Sequence, residues 1–151
     1  MSELTLHPRA AMGPRVRGPA LVAKDGFSAR YDLDRIQGTF SRPEHKLAGE
    51  NYVGRVLVLD VAKGGVATAW MLYEMASRGM APAALVLNVA NPIMVQGAAL
   101  AGITLVSGFD GDITALVPPG AEVEIDPQAS PPTLRVVTAG QQAERAADAA
   151  G

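Results

Sequence analysis

Short apolar runs alternate with breaks rich in glycine, proline and asparagine over most of the chain. PALVA (19–23), RVLVLDV (55–61), AALVLNV (83–89), ITLVSG (103–108), AEVEID (121–126) and TLRVV (133–137) have strand length and β-branched content. Continuous apolar runs such as VLVL and LVL predict strands covered on both faces, as in a parallel sheet. AEVEID and TLRVV instead alternate, which predicts a half-exposed pair joined by the proline-rich turn PQASPP.

Two helices interrupt the strands. Over 66–78, Ala67, Trp70, Met71, Leu72 and Met75 build an apolar face, and Gly79 supplies the stop. Over 92–101, Asn91 is a natural N-cap, Pro92 takes the first helical position and Gly102 ends the helix. Each helix follows a strand directly, so the middle of the chain reads as two successive crossover units of one α/β sheet. Loops at the C-terminal ends of such strands lie side by side and usually bind ligands. Here they are residues 60–65 and 88–91. Residues 1–14 and 139–151 lack periodicity and are expected to be tails around one domain over 15–138; a frayed Ala-rich helix is an equal reading of the second tail.

Composition narrows the function classes. A chain of 151 residues with 48% hydrophobic and 19% charged side chains can bury a core without staples. Its net charge of -2 offers no electrostatic footprint for nucleic acid or an anionic membrane. No apolar stretch approaches the roughly 20 residues of a membrane span, and the N-terminus lacks a signal-type core, so a cytoplasmic location is expected. The chain has no cysteine, and His7 and His45 are its only histidines. It offers no thiolate, no sulfur ligand for a cluster and no zinc set of its own.

The candidate chemistry centres on DVAKGGVATAW, residues 60–70. A Walker loop needs a Gly-Lys-Ser/Thr that is absent here, and no dinucleotide fingerprint is present. What remains is the physics of an anion site. Gly64 and Gly65 allow close approach of backbone amides, the helix start adds partial positive charge and Lys63 adds a full one. A tight strand-to-helix turn with a solvated Lys63 explains the same residues. Asn88 and Asn91 in the second loop could orient a carboxylate, although Asn91 is already explained as a cap. Ser41, Arg42 and His45 lie in the polar loop SRPEHKLAG. Asp110 and Asp112 in GFDGDI lack the further ligands of a calcium loop and read as a turn.

Several segments in order carry a family resemblance. They are His45, Leu47 and Gly49 before the first buried strand, the Gly-rich loop opening a helix with LYE (72–74), APAALVLN (81–88), the Asn91-Pro92 helix start and QGAALAGITLV (96–106). Across about residues 18–126 the chain resembles the small, swivel-domain component of the aconitase X family. The resemblance implies a swivelling β/β/α domain with a mixed sheet, closing over an iron or iron-sulfur centre held by a larger, cysteine-bearing partner. It implies dehydration of a small hydroxy acid: bacterial members act on cis-3-hydroxy-L-proline and archaeal members on phosphomevalonate. By this resemblance Lys63 stands for the family's loop arginine and Gly65 for its serine. Three readings of that substitution stay open: Thr68 supplies the hydroxyl, Lys63 serves as base, or the chain performs another reaction or none. The expected site therefore comprises Lys63 and Thr68 as catalytic groups, with Gly64, Gly65, Asn88, Asn91 and His45 binding substrate and no metal ligand. The alternative is a non-catalytic swivel-fold protein that binds a small anion or only assembles with a partner.

Overall fold

The buried strands sort their side chains by size. In β6 (Val56–Val61), β7 (Ala84–Val89) and β8 (Thr104–Ser107), parallel pairing sets Val56 beside Ala84 and Leu57 beside Leu85, and in turn Ala84 beside Thr104 and Leu85 beside Leu105. Because side chains alternate across a strand, this register puts Leu57, Leu59, Leu85, Leu87 and Leu105 on one face. Val56, Val58, Ala84, Val86 and Val106 share the other face. Both faces are fully buried, as the unbroken apolar runs predict. The computed structural model describes residues 3–28, 32–63 and 66–137.

The leucine face is covered by α1 (Val66–Ser77) and α2 (Pro92–Ala101), with Phe27, Phe40, Leu47 and Tyr52 from the intervening loop and the hairpin β4–β5 (Leu33–Asp34, Thr39–Phe40). The helices approach closely at Gly97, where an added Cβ would stand 2.6 Å from the Ala69 Cα. Leu72 and Met75 point into this core. Trp70 does not join them: it is two residues from Leu72, about 200° around the helix, and stands in solvent.

The valine face is covered by α3 (Ile113–Leu116) and a hairpin of β9 (Glu122–Asp126) and β10 (Thr133–Val137). The hairpin alternates buried and part-exposed positions, as its sequence predicts. Its outer face carries a charge ladder in which Arg17 pairs with Glu122 and Glu124, and Arg135 pairs with Glu124. Strand β3 (Val16–Val22) joins the two halves. Its first residues pair antiparallel with β9, and Ala20 to Val22 pair parallel with β6.

The N-terminal segment differs from the expected tail. Glu3–Leu6 forms β1 against β10, and Ala10–Met12 forms β2 against β8. These are the two ends of an eight-stranded order β1-β10-β9-β3-β6-β7-β8-β2. The runs are too short, and too exposed, to show periodicity. His7 Nδ1 donates to the Pro132 carbonyl (3.0 Å), and the Arg9 amide donates to the Gly108 carbonyl (2.8 Å). The second expected tail, 139–151, lies outside the described residues.

Candidate active-site half

Three parallel strands end at one place. The amide of Asp60 in β6 donates to the carbonyl of Asp25 (2.8 Å), that of Ala62 to Val89 (2.9 Å) and that of Lys63 to Phe27 (2.8 Å). The loop after β6 is thereby tied to the loop after β3 on one side and to the end of β7 on the other. Sequence reasoning placed only the second and third of these loops in the site. Residues 25–28 were missed, although the Asp-Gly turn after PALVA marks the end of another parallel strand.

The Asp25-Gly26 turn is held from both sides. Burial opposes ionisation of the Asp25 carboxyl, but the amides of Lys46 (3.1 Å) and Gly26 (2.8 Å), with the Arg42 guanidinium nearby, hold its pKa below the ordinary range. The Gly26 carbonyl accepts from His45 Nε2 (2.8 Å), while His45 Nδ1 accepts from the Leu47 amide (3.0 Å). Both ring nitrogens of buried His45 are thus used inside the chain, in the neutral Nε2–H form. Its ring lies 4.7 Å from that of Phe40. Arg42 Nε donates to Asp32 Oδ1 (2.6 Å), whose other oxygen accepts from the Ser28 amide (2.9 Å).

Lys63 folds over this turn. A Cβ added to Gly26 would lie 2.3 Å from Lys63 Cε and 2.9 Å from Nζ. The side chain is exposed, and no ion pair engages its ammonium among the described residues. Three other cations beside the strand ends are engaged. Lys24 pairs with Asp112 (3.1 Å), Arg42 with Asp32, and Lys46 donates to the Lys24 carbonyl (2.9 Å).

Asn88 is an internal tie. Its Nδ2 donates to Asp60 (2.9 Å) and Asp112 (2.8 Å), and its Oδ1 accepts from the Ile113 amide (2.8 Å). Asp112 caps α3 through the Thr114 amide (3.0 Å). Hydrogen bonds from the Thr114 hydroxyl, Asn88 and Lys24 hold its carboxyl well below the usual range. Asn91 caps α2, its Oδ1 accepting from the Met94 amide (2.7 Å). The strand-end cluster thus includes Lys63, Asn88 and Asn91, with His45 beneath it. Gly64, Gly65 and the Thr68 side chain lie outside the described residues. Among the described residues no three His, Cys, Asp or Glu side chains converge as a metal site. Among the described residues no helix is long and apolar enough to cross a membrane.

Comparison with known proteins agrees with this geometry. The aconitase X swivel domain family matches residues 5–131. The phosphomevalonate dehydratase small subunit of Methanocella arvoryzae is 34% identical over 76% of this chain and 86% of its own. That of Methanopyrus kandleri is 34% identical over 83% of this chain and 98% of its own. These relatives are named for phosphomevalonate, not for the hydroxyproline given above as an example. The structure of Thermococcus kodakaraensis aconitase X superposes with a TM-score of 0.80 over 89% of this chain and 99% of that one, at 23% identity. A UPF0107 protein solved by solution NMR gives 0.71 over 91% and 100%, at 25% identity. The swivel β/β/α fold expected from sequence is thereby shown. The relatives are named as small subunits of a dehydratase, and the chain belongs to the aconitase X swivel-domain family.

Proposed function

We propose that this subunit closes the active site of a hydro-lyase acting on phosphomevalonate, with Lys63 as the charged group it contributes. The observation that carries the reading is the Lys63 ammonium, unpaired among the described residues and placed over Gly26 where three parallel strands end. The names of the dehydratase relatives support the substrate. Phosphomevalonate is a hydroxy acid with a carboxylate and a phosphate, so its capture needs fixed cations and amide donors.

Loss of water from such a substrate requires a base to remove the proton beside the carboxylate. The electron pair left on carbon forms the double bond as the C–O bond breaks, and the departing hydroxide takes up a proton to leave as water. Iron or an iron-sulfur cluster, held by cysteines of the larger subunit, would polarise the departing hydroxyl. This chain has no cysteine, and its described acidic and histidine side chains do not gather into a ligand set. Its own contributions in this reading are to hold an anionic group at Lys63 and to exclude water from the closed site. Gly65 has no side chain to move a proton, and Thr68 carries the hydroxyl nearest to it in sequence. Thr68 is therefore the second catalytic candidate of this chain, and the subunit is inactive without its partner.

Reconstitution tests this. The purified pair is expected to dehydrate phosphomevalonate, and neither subunit alone to do so. Lys63→Ala should lower kcat/KM by about 100-fold or more, as loss of a charged contact in a closed site does, with the complex still forming. Turnover of cis-3-hydroxy-L-proline but not phosphomevalonate would overturn the substrate; full activity of the variant would remove Lys63.

A further inference from the structure

The outer side of the helix layer is left unfinished by this chain. Trp70 (63% exposed), Tyr73 (50%), Ile93 (37%) and Leu100 (59%) lie on α1 and α2, and Val89 (59%) ends β7 just before α2. They are five of the seven large hydrophobic side chains exposed among the described residues. The indole of Trp70 meets the Tyr73 ring edge-on at 6.5 Å. Beside it Ala69, Trp70, Ile93, Gln96 and Leu100 line a shallow groove with no charged member. Contiguous apolar surface of this kind is uncommon on a protein that works alone, and Trp and Tyr are enriched where partners bind.

Position identifies the occupant. Ile93 lies in the first turn of α2, and Ala69 and Trp70 lie about one turn into α1, near the helix ends where Asn91 and Lys63 stand. Val89 accepts the Ala62 amide, so it adjoins the loop that carries Lys63. The strand ends and the apolar face are therefore continuous. A subunit that reaches Lys63 to complete a shared site meets Val89, Ile93 and Trp70 on the way. The opposite, valine face of the sheet is already covered by α3 and the β9–β10 hairpin.

We propose that the α1–α2 face is the docking surface for the larger subunit of the dehydratase, which meets it with an apolar, uncharged patch. An aliphatic or aromatic side chain of that subunit fills the groove between Trp70 and Leu100. A charge placed there would lose water without gaining a partner. This assignment rests on the reading that the two subunits share one active site.

The test is pairwise affinity of the full-length subunits, by titration calorimetry, with circular dichroism to confirm folding. Trp70→Ala should weaken the Kd by about tenfold or more, and the double variant W70E/L100E should abolish pairing while its melting temperature stays unchanged. Leu4→Gln, at the β1 edge, should pair like the wild type. W70E/L100E binding within about twofold of wild type would overturn the assignment. So would light scattering that shows the wild-type chain alone to be a dimer which W70E/L100E dissociates, since the face would then be a self-contact. Pairing that depends on Trp70 without any dehydratase activity would uphold the docking surface and overturn the function. Absence of pairing in the wild type would overturn both.

Discussion

Lys63 lies where a methyl group on residue 26 would stand, so its placement depends on a residue that has no side chain. The Gly26 peptide is itself fixed, its amide held by Asp25 and its carbonyl by His45. Gly26→Ala should displace the ammonium rather than unfold the chain, because the clash is with the far end of a flexible side chain. In the reconstituted complex, Gly26→Ala is expected to lower kcat/KM about tenfold, the effect of a charged contact shifted out of place. In a Lys63→Ala background the same change should have no further effect. An equal loss in both backgrounds would show that Gly26 acts through the fold and not through Lys63. The motif made Lys63 legible in the sequence. Gly26, 37 residues earlier, was not legible, because their contact exists only once β3 and β6 pair. His45 and Asn88 show the converse: a polar residue in a loop reads as a ligand contact until its internal partners are seen.

At the scale of elements, the boundaries that sequence reasoning found were those with chemical punctuation. Asn91, Pro92 and Gly102 frame α2, and the structure gives them those places. The four-residue α3 has no period to detect, and its Asp112 reads as an ordinary turn residue. In the fold that carboxylate joins the ends of β3, β6 and β7 through Lys24, Asn88 and Asp60. Because its pKa is held below the ordinary value, Asp112 favours the folded state above about pH 4. That contribution is lost as pH falls through its folded value. Urea melts from pH 7 downward should therefore show the wild type losing stability below about pH 4. Asp112→Asn is expected to be less stable at pH 7 and to fall less steeply in acid. It retains some slope because Asp25, also held low, is still present. Parallel curves for the two proteins would show that the strand-end network carries no such charge-dependent stability.

The whole molecule adds a constraint that no single run of residues displays. Strands β1 and β2 occupy opposite ends of the sheet order, yet only residues 7–9 separate them in the chain. At roughly 3.5 Å per residue, that linker spans no more than about 15 Å. The sheet must therefore curl until its ends nearly meet, and the linker's bonds to Pro132 and Gly108 touch both. The segment also masks the edges of β10 and β8, whose unpaired amides and carbonyls would otherwise be open to other chains. Its residues lack the periodicity of a strand, so sequence reading took it for a tail; pairing with two finished edges supplies what propensity does not. Removal of residues 1–12 should therefore lower the melting temperature by roughly 5 °C or more and produce higher-order species in light scattering. Removal of residues 1–6 uncovers β10 alone and should have the smaller effect. If the shorter chains melt with the full one and remain monodisperse, the closure of the sheet does not depend on this segment. A graded loss would show that the first dozen residues hold the two ends of the curled sheet together.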